Sequence, residues 1–147
     1  MATRVKNELS NADAVAWTTD GWTSRITQSY VTVTSHFINK EFELCSHVLQ
    51  TRDLEESHTG ENLGAILVDA ASEWGCKVSA ITTDNAANMK IAAKVANIPV
   101  HMNCFAHTLN LASGKVLQIR EIANMLAKIR AVVGYLHRST TAASICI

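Results

Sequence analysis

Two stretches of the chain decide the fold: AVAWTTD at residues 14–20 and KVSAITTD at residues 77–84. Each is rich in small, apolar and β-branched residues, a composition typical of a mostly buried strand, and each ends in Thr-Thr-Asp. We predict one strand over residues 14–19 and a second that ends in the same tripeptide. Both strands then run directly into an aspartate, Asp20 in the first and Asp84 in the second.

Two further strands are predicted between these stretches. SYVTVTSHFI at residues 29–38 alternates apolar and polar side chains, and EFELCSHVL at residues 41–49 repeats that pattern. Only Asn39 and Lys40 separate the two runs, which predicts a hairpin.

Helical periodicity follows the hairpin. From Thr59 to Gly75 the apolar residues recur at i, i+3 and i+4; Thr59 fits an N-cap and Gly75 fits a helix stop. Helices are also predicted over residues 85–97 and 105–117, with a short strand over residues 100–104 between them.

A heptad-like seam follows, in which apolar residues are spaced by three and four from Ile119 to Leu136. The seam is shorter than three heptads, so we favour a helix packed on its own domain or on a neighbour over a coiled coil. Gly114 marks a candidate break before this helix.

The order of these elements predicts the fold class. Three strands followed by alternating helices and strands indicate an α/β fold, with a mixed sheet of a three-stranded antiparallel meander plus parallel strands, flanked by helices. The fourth strand returns by a right-handed crossover, and if it lies beside the first, Asp20 and Asp84 face each other. No linker divides the chain, so we expect one domain over residues 1–147.

Composition narrows the class of protein. Hydrophobic residues make up 48% and charged residues 18%, as in a folded globular domain, and 13 basic residues balance 13 acidic ones. The four cysteines form no CxxC pair, so free thiols in a reducing compartment are expected. With no long apolar run and no secretory leader, an intracellular protein without a membrane partner is expected.

Two carboxylates at neighbouring strand ends have a chemical use. Magnesium prefers oxygen ligands and is often held by one or two carboxylates plus substrate phosphates. Two such ions stabilise both the attacking and the leaving oxygen of a phosphodiester. The simpler interpretation is that each aspartate caps the turn that follows it. Both interpretations stay open on the residues alone.

Three motifs together resemble a known family: TTDGWTS at residues 18–24, ITTDNAANM at residues 81–89 and CFAHTLNL at residues 104–111. In this order and spacing they are similar to the RNase H-like catalytic domain of hAT-superfamily transposases, especially the domesticated BED-type zinc-finger proteins. The resemblance extends over about residues 5–143. It implies an RNase H-like fold and DNA cleavage and strand transfer that depend on Mg²⁺ or Mn²⁺.

The resemblance also implies roles for single residues. Asp20 and Asp84 correspond to the first two of three metal-binding acids, and Trp22 corresponds to the tryptophan that stacks on a flipped base. The alternative for Trp22, as for Trp17, is a core aromatic.

Cys104 and His107 match the C-x-x-H signature of the family, which lies near the active site. His101, Cys104 and His107 recur every three residues, but a structural zinc normally takes four protein ligands and no second tight pair completes the set. A structural zinc is therefore not expected. Support of the active site, or contact with DNA, is expected instead.

The family's third acid follows a large insertion, and Glu121 precedes that point. We find no BED finger, insertion domain or C-terminal dimerisation region, and expect the N-terminal part of an RNase H-like domain, truncated before the third catalytic acid.

We therefore expect a nuclear, transposon-derived domain that is catalytically inactive and has a DNA- or protein-binding, regulatory role. One alternative is an active metal-dependent transposase or nuclease that takes its glutamate from elsewhere. Another is a protein-interaction module that uses its last helix for self-association or for other transposase-derived proteins. Four basic residues form either a DNA-binding face or a solvated one: Lys115, Arg120, Lys128 and Arg130.

Overall fold

The computed structural model describes residues 2–25, 28–54 and 57–138. Within the chain, Met1–His107 and Thr108–Ile147 form two compact units. The strands are β1 Val15–Thr23, β2 Ser29–Ile38, β3 Leu44–Asp53, β4 Val78–Thr83 and β5 Val100–Asn103. The helices are α1 Ala2–Ser10, α2 Gly60–Trp74, α3 Ala87–Val95, α4 Phe105–Leu117 and α5 Arg120–Arg138. None of the helices among the described residues is long and apolar enough to span a bilayer.

One mixed sheet organises the first unit, with the strand order β3-β2-β1-β4-β5. The pairs β1/β2 and β2/β3 are antiparallel, whereas β1/β4 and β4/β5 are parallel. The predicted α/β arrangement of a meander plus parallel strands is therefore confirmed.

The two Thr-Thr-Asp segments lie side by side and in register. Trp17 pairs with Ile81 and Thr18 pairs with Thr82, so the same position of each motif meets its counterpart. The prediction that the fourth strand lies beside the first is confirmed.

The predicted end of the first strand is wrong. β1 runs past Asp20 to Thr23 because β2 continues to pair with it, and Asp20 lies opposite Thr32 in this antiparallel ladder. The parallel pairing with β4 stops at Thr18. Asp20 therefore lies just beyond the parallel part of the sheet, but inside a strand.

The connection between β2 and β3 is longer than the two residues predicted. Five residues form it, because the side-chain oxygen of Asn39 accepts hydrogen bonds from the backbone N–H groups of Glu41 at 3.0 Å and Glu43 at 2.8 Å. Phe42 takes a positive φ of 61° in this loop and is 90% exposed.

The helices agree with the sequence patterns in part. α2 has the predicted caps: the Thr59 hydroxyl accepts from the N–H of Asn62, and Gly75 adopts the left-handed conformation with φ 62°. α4 runs through Gly114 without the expected break. α1 has no counterpart among the predicted elements, although its Val5 and Leu9 are buried in the core.

The two faces of the sheet differ in chemistry. Alternate residues of β1 and β2 are buried on one face, where they pack with residues of α2: Val15, Trp17, Val31, Val33, Phe37, Leu63 and Leu67. The intervening residues carry hydroxyl and imidazole groups that bond across the strands. Thr18 Oγ1 lies 3.0 Å from His36 Nε2, and His36 Nδ1 lies 2.9 Å from Ser46 Oγ.

Of the four cysteines expected to be free of disulfides, Cys45, Cys76 and Cys104 form none among the described residues. Cys146 lies outside the described residues. Burial raises the pKa of the Cys76 thiol, and the backbone N–H of Cys76 and the indole of Trp17 oppose that effect in part.

Two glycines on one face of α2 allow α3 to approach closely. A Cβ on Gly64 would lie 2.5 Å from Val95 Cβ and 3.2 Å from the Ala92 carbonyl oxygen, and a Cβ on Gly60 would overlap Ile91. The backbone of α3 would have to move to admit either side chain.

We therefore expect Gly64→Ala to lower the free energy of unfolding by about 1–2 kcal/mol, because overpacking by roughly 1–3 kcal/mol exceeds the gain in helix propensity of about 0.5–1 kcal/mol. Thermal and urea unfolding would measure this. Ala65→Ser, at the exposed neighbouring position of α2, is the matched control and should stay within about 0.5 kcal/mol. A stabilised Gly64→Ala protein would contradict this account of the helix contact.

Candidate metal and nucleic-acid site

Four of the residues singled out in the sequence line one cavity of about 350 Å³: Asp20, Asp84, Cys104 and His107. β1 carries the first aspartate, the second follows β4 directly, and the last two lie at the end of β5 and in the first turn of α4. Threonines of β1, β2 and β4 complete the lining. The fold thus brings together residues that are up to 87 positions apart, Asp20 and His107 being the extremes.

Asp84 also takes part in a turn, as the simpler interpretation of the sequence supposed. Its Oδ1 accepts a hydrogen bond of 3.1 Å from the N–H of Ala86. A carboxylate offers two oxygens and about four lone pairs, so this bond leaves acceptor capacity for a cation. Capping a turn and binding a metal are compatible at this position.

Hydroxyl groups line the cavity next to the acids. Thr19 is 8% exposed and lines the same cavity, and within the described part of the chain its Oγ1 has no hydrogen-bond partner. Hydroxyl and carboxylate oxygens are the hard ligands that Mg²⁺ and Mn²⁺ accept, so the donor set fits such an ion. Among the described residues, no three His, Cys, Asp or Glu side chains converge as a metal-binding group.

His101 is engaged next to the acids in a way the sequence did not suggest. Its Nε2 lies 2.9 Å from Thr83 Oγ1, and that hydroxyl donates to the backbone carbonyl of Asp84 at 2.8 Å. Burial lowers the pKa of His101, and the positive charge of Lys90 lowers it further. His101 therefore contacts Thr83, whereas Cys104 and His107 line the cavity of the two acids.

Trp22 and Trp17 lie in opposite environments. Trp17 is 1% exposed and belongs to the core, whereas Trp22 is 47% exposed and stacks on Tyr30 with ring centroids 4.6 Å apart and planes at 24°. A second cavity, of about 160 Å³, is lined by both rings of this pair and by Asp84. The core interpretation therefore holds for Trp17 and is wrong for Trp22.

Sequence reasoning missed Tyr30 as a site residue. The signal was present, since Tyr30 pairs with Trp22 in the ladder between β1 and β2. Because β1 was expected to stop before Asp20, that register could not be drawn.

All four of the predicted basic residues belong to the second unit, Thr108–Ile147. Lys115 near the end of α4, and Arg120, Lys128 and Arg130 on α5, are all exposed. At 100° per residue, Arg120 and Lys128 lie about 160° and 120° around α5 from Ile122 of the apolar seam, whereas Arg130 lies about 80° from Ile122, at the edge of that seam.

Comparison with known proteins gives the family. The ZBED1 RNase-like domain matches residues 18–126, well over half of the chain. The chain is 29% identical over 132 residues to the putative AC transposase of Zea mays, which covers 79% of this chain. It is 26% identical over 155 residues to the human zinc finger BED domain-containing protein 4, which covers 94% of it. It is also 27% identical over 129 residues, or 78% of its length, to the putative transcriptional regulator tpeD of Talaromyces stipitatus.

The chain spans between 13% and 16% of the length of these curated relatives. The family match begins at Thr18, two residues before Asp20, and extends beyond Asp84 and His107 into α5. It therefore includes the cavity that the matched strand ends build. The recognition of a transposase-derived domain is confirmed, and the chain belongs to the ZBED1 RNase-like domain family.

Proposed function

We propose that this chain is a transposase-derived domain that binds a divalent cation through Asp20 and Asp84, contacts DNA, and does not cleave DNA by itself. The observation that carries the proposal is the register of β1 and β4, which sets the two Thr-Thr-Asp motifs side by side at one cavity. Carboxylates in such a pair bind a hard cation and leave the remaining positions to water and phosphate.

The absence of cleavage is proposed from the number of acids at the site. Two-metal cleavage stabilises the attacking and the leaving oxygen together and needs a complete set of carboxylate ligands. The described part of the chain brings two carboxylates to this cavity. A nuclear, regulatory role follows from this view, and relatives that are named as a transcriptional regulator and as a BED zinc-finger protein support it.

A second candidate is a metal-dependent transposase or nuclease in which another segment or chain adds the third acid. The geometry of the pair favours it, since both carboxylates line one cavity that a further acid could complete. The relative named as an AC transposase also favours this candidate.

The proposed DNA contact uses two kinds of group. Trp22 offers an exposed aromatic face beside the acids, and stacking of an unpaired base on such a face is worth about 1–3 kcal/mol. The cations of α4 and α5 would add phosphate contacts that carry no sequence preference.

Neutralising either acid should remove cation binding. We expect Mn²⁺ to bind the wild-type chain with a dissociation constant on the order of 10⁻⁴ to 10⁻³ M, as at weak carboxylate sites, and Asp20→Asn or Asp84→Asn to weaken it at least tenfold. Electron paramagnetic resonance of free Mn²⁺ would measure this. Asp13→Asn, an exposed aspartate outside this cavity, is the matched control.

The purified chain with Mn²⁺ should leave supercoiled DNA intact. Robust nicking that disappears in Asp20→Ala would contradict the proposal and establish the second candidate.

Removing the Trp22 ring should weaken binding of a single-stranded oligonucleotide by about 5- to 150-fold, the equivalent of 1–3 kcal/mol. Fluorescence anisotropy would report the affinity. Trp22→Phe should retain part of it, and Phe42→Ala, an exposed aromatic in the β2–β3 loop, should retain all of it. Equal losses in Trp22→Ala and Phe42→Ala would argue against a specific stacking role.

Replacing Arg120, Lys128 and Arg130 together by Gln should lower the slope of log affinity against log salt by about 2 for single-stranded DNA, because each phosphate contact contributes roughly 0.7. Titrations between about 50 and 200 mM salt would measure the slope. An unchanged slope would assign these cations to a solvated face.

A further inference from the structure

A chain of polar groups runs from β5 to the backbone of Asp84. His101 of β5 and Thr83 of β4 meet at 2.9 Å between Nε2 and Oγ1, and the same hydroxyl lies 2.8 Å from the Asp84 carbonyl oxygen. Thr83 is 1% exposed, so water cannot reach its hydroxyl and replace either hydrogen bond.

Counting the available hydrogens shows which group donates and which accepts in each of these two hydrogen bonds. A threonine hydroxyl has one hydrogen, and here that hydrogen is donated to the carbonyl of Asp84. Oγ1 must then accept at its other contact, so His101 donates its Nε2–H. A neutral imidazole with the hydrogen on Nε2 meets this requirement, and burial, which lowers the pKa of His101, favours the neutral ring.

These hydrogen bonds hold Asp84 at the point where the regular pairing of β4 with β5 ends. The last pair of the β4/β5 ladder is Thr83 with Asn103, and Asp84 follows β4 without a ladder partner. Three bonds replace the ladder there: Thr83 Oγ1 to the Asp84 carbonyl, the Ala86 N–H to Asp84 Oδ1 at 3.1 Å, and the Cys104 N–H to the Thr83 carbonyl at 2.7 Å. The first of these depends on the orientation of Thr83, which His101 sets.

We propose that His101 is a positioning residue for Asp84: by donating to Thr83 it orients the hydroxyl that holds the Asp84 backbone, and so fixes the direction of the carboxylate. The consequence for metal binding rests on the proposed role of Asp84 as a cation ligand. Hydrogen-bond partners behind a ligand typically change metal affinity by 10- to 100-fold when they are removed.

A merely structural His101 would only join β4 to β5. The two roles differ in what a conservative variant restores. His101→Gln keeps an N–H donor at about the same reach as Nε2, whereas His101→Leu keeps volume and removes the donor. If the donor matters, Gln preserves the site and Leu does not, even when both variants are folded.

The experiment measures two quantities in the wild type and both variants. The first is hydrogen exchange of the Ala86 amide in the metal-free protein, followed by NMR. We expect it to be about tenfold faster in His101→Leu and unchanged in His101→Gln, with the amide of Val33 in the sheet core as the internal reference. The second is Mn²⁺ affinity, which should fall 10- to 100-fold in His101→Leu and stay within about threefold of the wild type in His101→Gln.

The two readouts separate this proposal from the one it rests on. Wild-type exchange and wild-type affinity in His101→Leu would overturn the positioning role, as would a His101→Gln protein that behaves like His101→Leu. If the wild type binds Mn²⁺ no better than Asp84→Asn, the cation site fails, and the exchange of Ala86 still decides whether His101 fixes Asp84. Should His101→Leu not fold, Thr83→Val against Thr83→Ser gives the same comparison one step closer to Asp84.

Discussion

The parallel pairing of β1 with β4 is the constraint on which the candidate site depends. Thr18 of β1 and Thr82 of β4 are 64 residues apart in sequence, and they meet in register because α2 carries the chain back across the sheet. α2 itself is held by its caps and by the packing of Leu63 and Leu67 on the sheet. Core packing therefore places the acids, and they need no direct attraction to each other to be close.

The two acids are held by different means. Asp20 belongs to a strand and takes its position from the ladder with β2. Asp84 lies past its strand and takes its position from side-chain hydrogen bonds. Asp20 is exposed to water, which screens its charge from that of Asp84.

The elements of the fold that could be predicted from the sequence are those that depend on interactions between neighbouring residues. The α2 caps and the alternation in β2 are encoded by neighbouring residues, and both were predicted correctly. The adjacency of Asp20 and Asp84 could be predicted because identical strand ends suggested equivalent places in one sheet. The extension of β1 past Asp20 could not be predicted, because it depends on how far β2 continues to pair with it. α1 was missed for a related reason: its two buried residues, Val5 and Leu9, give a weak pattern until the core they enter is known.

Because Asp20 lies inside β1, the site is sensitive to insertions and deletions of single residues in this strand. Successive side chains of a strand point to opposite faces, so a shift of one residue exchanges the two faces. A single-codon insertion or deletion between Trp17 and Asp20 would put these two side chains on the same face, so that either the carboxylate turns toward the helix-covered side or the Trp17 ring turns into the polar cavity. Substitutions at the site remove one group at a time, whereas an in-frame change of one codon in this short segment would abolish its geometry at once. Length in β1 is thus as restrictive as residue identity.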